Sequence, residues 1–130
     1  MKILNEKELN SLKTIFKLEQ SYLFEIMYKY LQKKYTNILI DKKYIIAVGD
    51  IPIGLVAHLD TVFNKPPIEF FYDKEKNVIW SPQGLGADDR AGVYSIIQII
   101  EKGYLPTIIL TKDEEAGCLG SKRMVKKRLL

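Results

Sequence analysis

The sequence predicts an α/β fold with three layers, in which helices cover both faces of a mixed β-sheet. Helical apolar patterns alternate along the chain with short runs typical of buried strands. The 130 residues suit one domain, and 47% hydrophobic and 28% charged residues are ordinary globular usage. We find no internal repeat or linker and expect residues 1–130 to share one core.

The first predicted elements are helices over about residues 5–34. Asn5 and Glu8 have the spacing of a capping box, which marks a helix start. Apolar residues then recur at helical intervals and are expected to pack in the core: Leu9, Leu12, Ile15, Phe16, and then Leu23, Ile26, Met27, Tyr30 and Leu31.

Two pairs of short runs predict hairpins. Residues 37–40 and 44–48 are mostly β-branched or aromatic and flank a polar triplet, so they should pair at a sheet edge. Residues 68–72 and 78–80 flank a second polar turn and should pair likewise.

The remaining elements carry or surround the informative residues. Residues 53–57 form a continuous apolar run that ends at His58, as expected of a strand buried on both faces, and residues 107–111 form another buried strand. After a loop over 81–87, a helix from Asp89 to about Glu101 should end at Gly103. A last helix should run from about 119 to the terminus, with Val125 and Leu129 on its apolar side.

Charge and cysteine content narrow the function classes. The net charge of +4 comes from 20 basic and 16 acidic residues, and the basic clusters are interpreted as solvated faces rather than a nucleic-acid surface. The single cysteine, Cys118, cannot form an internal disulfide, and no secretory leader is evident, so we expect a cytoplasmic protein. No apolar stretch approaches the roughly 18 residues that span a bilayer, so no membrane role is expected.

Three acidic motifs lie at boundaries of the predicted elements. They are His58-Leu59-Asp60, Asp88-Asp89 and Asp113-Glu114-Glu115. Two follow strands and one opens a helix, and groups at the carboxyl ends of strands in an open α/β sheet converge on one edge. Taken singly, each motif has an ordinary explanation: a surface histidine, helix N-terminal charges, or a solvated turn.

A metal ion would explain why these groups lie together. Clustered carboxylates repel one another and raise each other's pKa values unless cations neutralise them. One imidazole with carboxylate oxygens suits Zn²⁺, with Co²⁺ or Mn²⁺ as alternatives, and a carboxylate can bridge two ions.

The three motifs, in this order, resemble the co-catalytic zinc exopeptidases, and most of all peptidase T and its aminoacylase and carboxypeptidase relatives. The resemblance covers roughly residues 53–121 and includes the small residues around each motif, as in Gly86-Ala87-Asp88-Asp89-Arg90-Ala91-Gly92. It implies the three-layer zinc-exopeptidase-like (phosphorylase/hydrolase-like) fold and a metallopeptidase with two Zn²⁺ ions.

The resemblance also implies a role for each site residue. His58 would bind one ion, Glu115 the other, and Asp88 would bridge them. The peptide bond between Asp88 and Asp89 is expected to be cis. Asp60 would orient the ring of His58, and Glu114 would be the general base.

The chain departs from this family after Glu115. The family supplies a further acidic ligand and a later histidine, whereas His58 is the only histidine here. The resemblance therefore implies the N-terminal half of a catalytic domain, with an apolar patch or unpaired sheet edge around Trp80, Ile108, Ile109, Leu129 and Leu130, and association into a homo-oligomer or with a partner chain.

Three functions remain open on this basis. The chain is a metallopeptidase acting on a peptide or N-acyl amino acid, of the aminopeptidase, tripeptidase or carboxypeptidase type. Alternatively, it is a half-enzyme that a partner chain completes. The third hypothesis is a non-catalytic peptidase relic that acts through a protein partner.

Overall fold

The computed structural model describes residues 3–127 and contains four helices and six strands within that range. The helices are α1 (Glu6–Lys17), α2 (Gln20–Lys34), α3 (Ala87–Glu101) and α4 (Leu119–Lys126). The strands are β1 (Ile38–Ile40), β2 (Tyr44–Ala47), β3 (Ile51–His58), β4 (Phe71–Asp73), β5 (Val78–Trp80) and β6 (Pro106–Thr111). No helix in this part of the chain is long and apolar enough to cross a membrane.

The start of α1 confirms the predicted capping box. The Glu8 N–H donates to the Asn5 side chain at 2.9 Å, and the Asn5 N–H donates to the Glu8 carboxylate at 3.0 Å. These bonds satisfy two backbone donors that a helix start otherwise leaves unpaired, and such a cap stabilises by about 1 kcal/mol.

Helix α2 presents a narrower apolar stripe than predicted. Leu23, Met27 and Leu31 are buried, but Ile26 is 47% exposed, so its assignment to the core was wrong. The buried residues follow one another at i+4, whereas Ile26 precedes Met27 by one residue, a rotation of about 100° around the helix. Solvent therefore reaches the face that carries Ile26.

The main sheet has the strand order β1-β2-β6-β3. Strands β1 and β2 pair antiparallel, which confirms the first hairpin, and β1 lies at an edge of the sheet. Strand β2 pairs antiparallel with β6, and β3 pairs parallel with β6. The second predicted hairpin is confirmed as β4 and β5, which form a separate two-stranded sheet.

Strand β3 is not buried on both faces, so that prediction was wrong. Ile53 is 55% exposed and Val56 is 65% exposed. Within residues 3–127 only β6 pairs with β3, and its other edge stays open. The continuous apolar run correctly indicated a strand, but burial depends on neighbours that lie outside the run. Strand β6, by contrast, is buried as predicted.

The core lies on both faces of the sheet. On one face, Ile108 and Leu110 pack with residues of α2 and α3 such as Leu31 and Val93. On the other face, Ile109 packs with Met124 of α4 and with Tyr44 and Ile46. The side chains of β6 alternate between the two faces of the sheet, so they pack against the helices on both sides. The three-layer α/β architecture is therefore confirmed.

The apolar residues near the end of the chain differ from the prediction. In α4 the buried residue is Met124, and Val125 is 65% exposed, so Val125 was wrongly assigned. Ile108 and Ile109 are buried and contribute nothing to an exposed patch. Trp80 is half exposed and stacks on Phe71, with ring centroids 4.7 Å apart. Leu129 and Leu130 lie outside the described residues.

Candidate metal centre

The sheet brings two of the three motifs to one edge. Strands β3 and β6 are parallel, with His58 opposite Thr111, so the residues that follow both strands emerge together. The Leu59 N–H donates to the Thr111 carbonyl at 2.9 Å and extends the pairing beyond β3. Asp88, in the second motif, lies at the start of α3, and α3 packs on β3.

His58, Asp88 and Glu115 form a group whose ligand atoms all lie within 4.8 Å of one another. The His58 Nε2 lies 3.0 Å from the Asp88 Oδ1. His58 is half-buried, whereas Asp88 and Glu115 are exposed, so the group is open to solvent on the carboxylate side. The three residues expected to bind metal therefore converge, although they are 57 positions apart at the extremes of the sequence.

Asp60 ties the first motif to the third. Its Oδ1 lies 3.2 Å from the His58 Nδ1 and accepts the Glu114 N–H at 3.0 Å, while its Oδ2 accepts the Glu115 N–H at 2.8 Å. Asp60 is buried, so these contacts replace its hydration. The Asp60 backbone carbonyl also lies 3.0 Å from the His58 Nδ1, so Asp60 contacts the ring through both its carboxylate and its backbone while the carboxylate holds the backbone of Glu115.

The surrounding carboxylates favour a protonated His58. Burial lowers its pKa, but the hydrogen bond with Asp88 and the charges of Asp60 and Asp89 outweigh that effect and raise it overall. A cation bound at Nε2 would have to displace this proton.

Asp89 has a supporting role that the sequence analysis did not assign. Its Oδ2 accepts the His58 N–H at 3.2 Å, which fixes the end of β3 against the start of α3. A Cβ at Gly92 would lie 2.1 Å from the Asp89 Oδ1, so this position needs glycine. The Asp88–Asp89 peptide bond is cis, as expected.

Arg90 is a second residue that sequence reasoning missed. It is 4% exposed, and its guanidinium donates to the Leu59 carbonyl at 2.7 Å and to the Ile15 carbonyl at 2.6 Å. Arg90 thereby fastens the loop after His58 to α1. Its position three residues before Val93 places it on the buried face of α3. From the sequence alone a charged residue is nevertheless assigned to the solvent, because arginine is rarely fully buried unless it is paired.

Asp113 fixes the turn that carries Glu114 and Glu115 through contacts with Gln20 and Lys43. The Asp113 N–H donates to the Gln20 Oε1 at 2.8 Å, and the Gln20 Nε2 donates to the Asp113 carboxylate at 2.9 Å. Lys43 forms an ion pair with the same carboxylate. The bonds from Lys43 and Gln20 lower the pKa of Asp113, so it stays ionised.

Glu114, the expected general base, is half-buried beside Glu115 and contacts Cys118. The Cys118 thiol donates to the Glu114 Oε1 at 3.1 Å. This hydrogen bond raises the pKa of Cys118, which keeps the thiol protonated and a poor nucleophile. Cys118 is thus a neighbour of Glu114, a contact that the sequence did not indicate.

The donor set fits a divalent ion. Zinc bonds of about 2.0 to 2.1 Å separate neighbouring donor atoms by about 3.3 Å in a tetrahedron, close to the 3.0 Å between His58 and Asp88. The third donor, on Glu115, is exposed and can adjust by rotation of its side chain. Imidazole nitrogen and carboxylate oxygen are both donor types that bind zinc.

Comparison with known proteins gives one informative likeness. No family model and no curated protein matches the sequence. Among solved structures, the aminopeptidase PepT from Bacillus cereus ATCC 10987 is similar, with a TM-score of 0.73 and 20% sequence identity. The match covers 98% of this chain and 41% of that one, so the chain spans less than half the length of the structure it matches. At this identity the likeness establishes the fold alone: the chain has the peptidase T-like α/β fold that its motifs predicted.

Proposed function

We propose that this chain carries the core of a metal-dependent peptidase site, in which His58, Asp88 and Glu115 bind zinc and Glu114 is the general base. The observation that carries the proposal is the convergence of the three ligand atoms within 4.8 Å at the carboxyl edge of the sheet. The peptidase T-like fold supports hydrolysis of peptide or N-acyl amino acid bonds.

Each residue has a task in this proposal. Bound zinc would polarise the scissile carbonyl and lower the pKa of a water molecule. Glu114 would take a proton at its carboxylate from the water whose oxygen adds to the scissile carbonyl carbon, and would return that proton to the amine that leaves when the C–N bond breaks. Asp60 holds the His58 ring by its Nδ1, so that Nε2 faces Asp88.

The number of ions is the finer part of the proposal. Two zinc ions with Asp88 as the bridge are expected, yet the described residues bring together three ligands in one such group. A second ion needs further donors, because zinc is usually four-coordinate. Cobalt or manganese would suit the same oxygen-rich donors. A cytoplasmic location remains a prediction from the cysteine content.

A second candidate function is a site completed by a second polypeptide, either another copy or a partner chain. The open edge of β3 favours it. Ile53 and Val56 expose apolar side chains there, and unpaired strand edges readily accept another strand. In this arrangement the partner would supply the additional ligands.

Hydrolysis of a dipeptide and tripeptide panel, with N-acetyl amino acids included, tests both candidates. Turnover that disappears with a chelator and returns with zinc supports the peptidase. Turnover per chain that rises with protein concentration, in step with association in sedimentation, supports the completed site. A folded monomer that binds zinc without any turnover would contradict both and leave the non-catalytic relic.

A further inference from the structure

A cavity of about 640 Å³ opens beside the candidate metal centre and is not needed to hold the metal. Its lining includes Asp60 and Glu115, the junction of α1 and α2, and the loop after Asp60. The same lining contains Glu19 and Gln20 at the start of α2, so the cavity joins the metal group, through Glu115, to this helix.

One wall of the cavity is apolar. It includes Val62, Phe63, Pro66 and Leu85, and both Val62 and Phe63 are more than 40% exposed. The ring of Phe63 rests on Gly84, where a Cβ would lie 2.2 Å from a ring atom. Contact with Gly84 thus fixes this wall, which suits an aliphatic stem.

The charged residues of the lining are mostly acidic, although the net charge of the protein is +4. Four carboxylates line the cavity against one guanidinium: those of Glu19, Asp60, Asp113 and Glu115 against that of Arg90. Asp113 is paired with Lys43, and the charge of Asp60 is offset by that of Arg90. Glu115 belongs to the metal group.

Glu19 remains as the carboxylate that is free to meet a ligand. It is exposed, and across residues 3–127 its side chain makes neither a hydrogen bond nor an ion pair. It occupies the N-cap position of α2 without capping the helix through its side chain. Neither helix capping nor an ion pair therefore explains this carboxylate. Because both guanidinium donors assigned to Arg90 bind backbone carbonyls, the cavity favours a cation over an anion.

We propose that this cavity is a subsite for a basic side chain, with Glu19 as the specificity-determining residue. A lysine or arginine side chain combines an apolar stem with a cationic head, which matches a lining that contains both the apolar residues around Phe63 and the carboxylate of Glu19. The inference rests on the proposed function, because the metal centre makes this cavity part of a substrate site. It names the substrate class: peptides with a basic residue next to the bond that is cleaved.

The test compares L-arginine amide with L-citrulline amide, whose side chains have nearly the same shape but differ in charge. Both carry the same α-amino group, so any difference in affinity reports the side chain. Binding to the metal-free protein is followed by NMR titration. We expect arginine amide to bind up to about fivefold more tightly, as an ion pair with an exposed carboxylate contributes at most about 1 kcal/mol.

Two variants locate the effect. Glu19→Gln should abolish the preference for arginine amide, while Glu25→Gln, an exposed change elsewhere on α2, should preserve it. Equal binding of the two amides, no binding of either, or a preference that survives Glu19→Gln would overturn the subsite. Zinc content is measured separately. Zinc binding without the preference for arginine amide would exclude the subsite alone. The preference without zinc binding would exclude the proposed peptidase.

Discussion

The Asp60 carboxylate contacts the His58 Nδ1 at 3.2 Å and accepts the Glu115 N–H at 2.8 Å. One buried side chain therefore contacts two of the expected metal ligands, one at the end of β3 and one in the turn after β6. In the proposed metal site, Asp60 would organise these ligands before an ion binds.

Replacement of Asp60 by asparagine should weaken zinc binding. The amide keeps the shape but loses the charge, and one oxygen must become an NH₂ group facing a backbone N–H. Loss of such an orienting residue typically costs about tenfold to a hundredfold in metal affinity. Competition with a chromophoric chelator measures it, with the exposed Asp50→Asn as the matched control. Equal affinities in the two variants would contradict the role of Asp60.

Glu114→Gln should leave zinc binding intact and remove turnover. If Glu114 is the general base, kcat falls about a hundredfold to ten-thousandfold, because the amide cannot accept the proton. Steady-state kinetics and elemental analysis on the same sample separate the two effects. Glu75→Gln, in the turn between β4 and β5, serves as control and should retain full kcat. A variant that keeps its kcat would exclude Glu114 as the base.

Arg90→Met should destabilise the fold. The buried Leu59 carbonyl would lose its donor, and the Ile15 carbonyl would keep only the long bond of 3.5 Å from the Leu18 N–H. The loss should cost about 1 to 3 kcal/mol in the free energy of unfolding, the usual cost of one unsatisfied buried group. Urea unfolding measures the change, with the exposed Lys29→Met as control. A cost below that of the control would show that the carbonyls find other donors.

Asp41 should contribute to stability in a pH-dependent way. Hydrogen bonds from Arg123 and Lys127 hold the pKa of this carboxyl well below its ordinary value of 3.8. Because the folded pKa is lowered, the contribution is present above the ordinary value and is lost as the pH falls through the folded value. The stability difference between the natural protein and Asp41→Asn should therefore shrink in urea unfolding below about pH 4. A constant difference from pH 6 to pH 2 would contradict this account.

Local patterns predicted the elements well, because capping and apolar periodicity are local properties. The capping box at Asn5 and the buried strand β6 are examples. Burial of β3 was not predictable, since the exposure of its side chains depends on which elements cover the two faces of the sheet, and the sequence of β3 carries no such information. For the same reason, the exposure of Ile26 and Val125 was not predictable from the sequence.

The candidate site was predictable from its motifs, but its support was not. His58, Asp88 and Glu115 were named as ligands from the resemblance of the three motifs to zinc exopeptidases, and their ligand atoms lie within 4.8 Å of one another. The anchoring by Arg90 joins α3 to α1 across 75 positions, and the bond between Asp113 and Gln20 spans 93. Such long-range contacts leave no periodic trace in a single sequence.

Zinc content after metal loading tests the central claim most directly, with Asp88→Ala and the control Asp73→Ala measured beside the natural protein. Elemental analysis should find tightly bound zinc in the natural protein and in Asp73→Ala, and should find it lost in Asp88→Ala, while all three remain folded by circular dichroism. Folded natural protein without bound zinc, or an Asp88→Ala variant that keeps its zinc, would contradict the account.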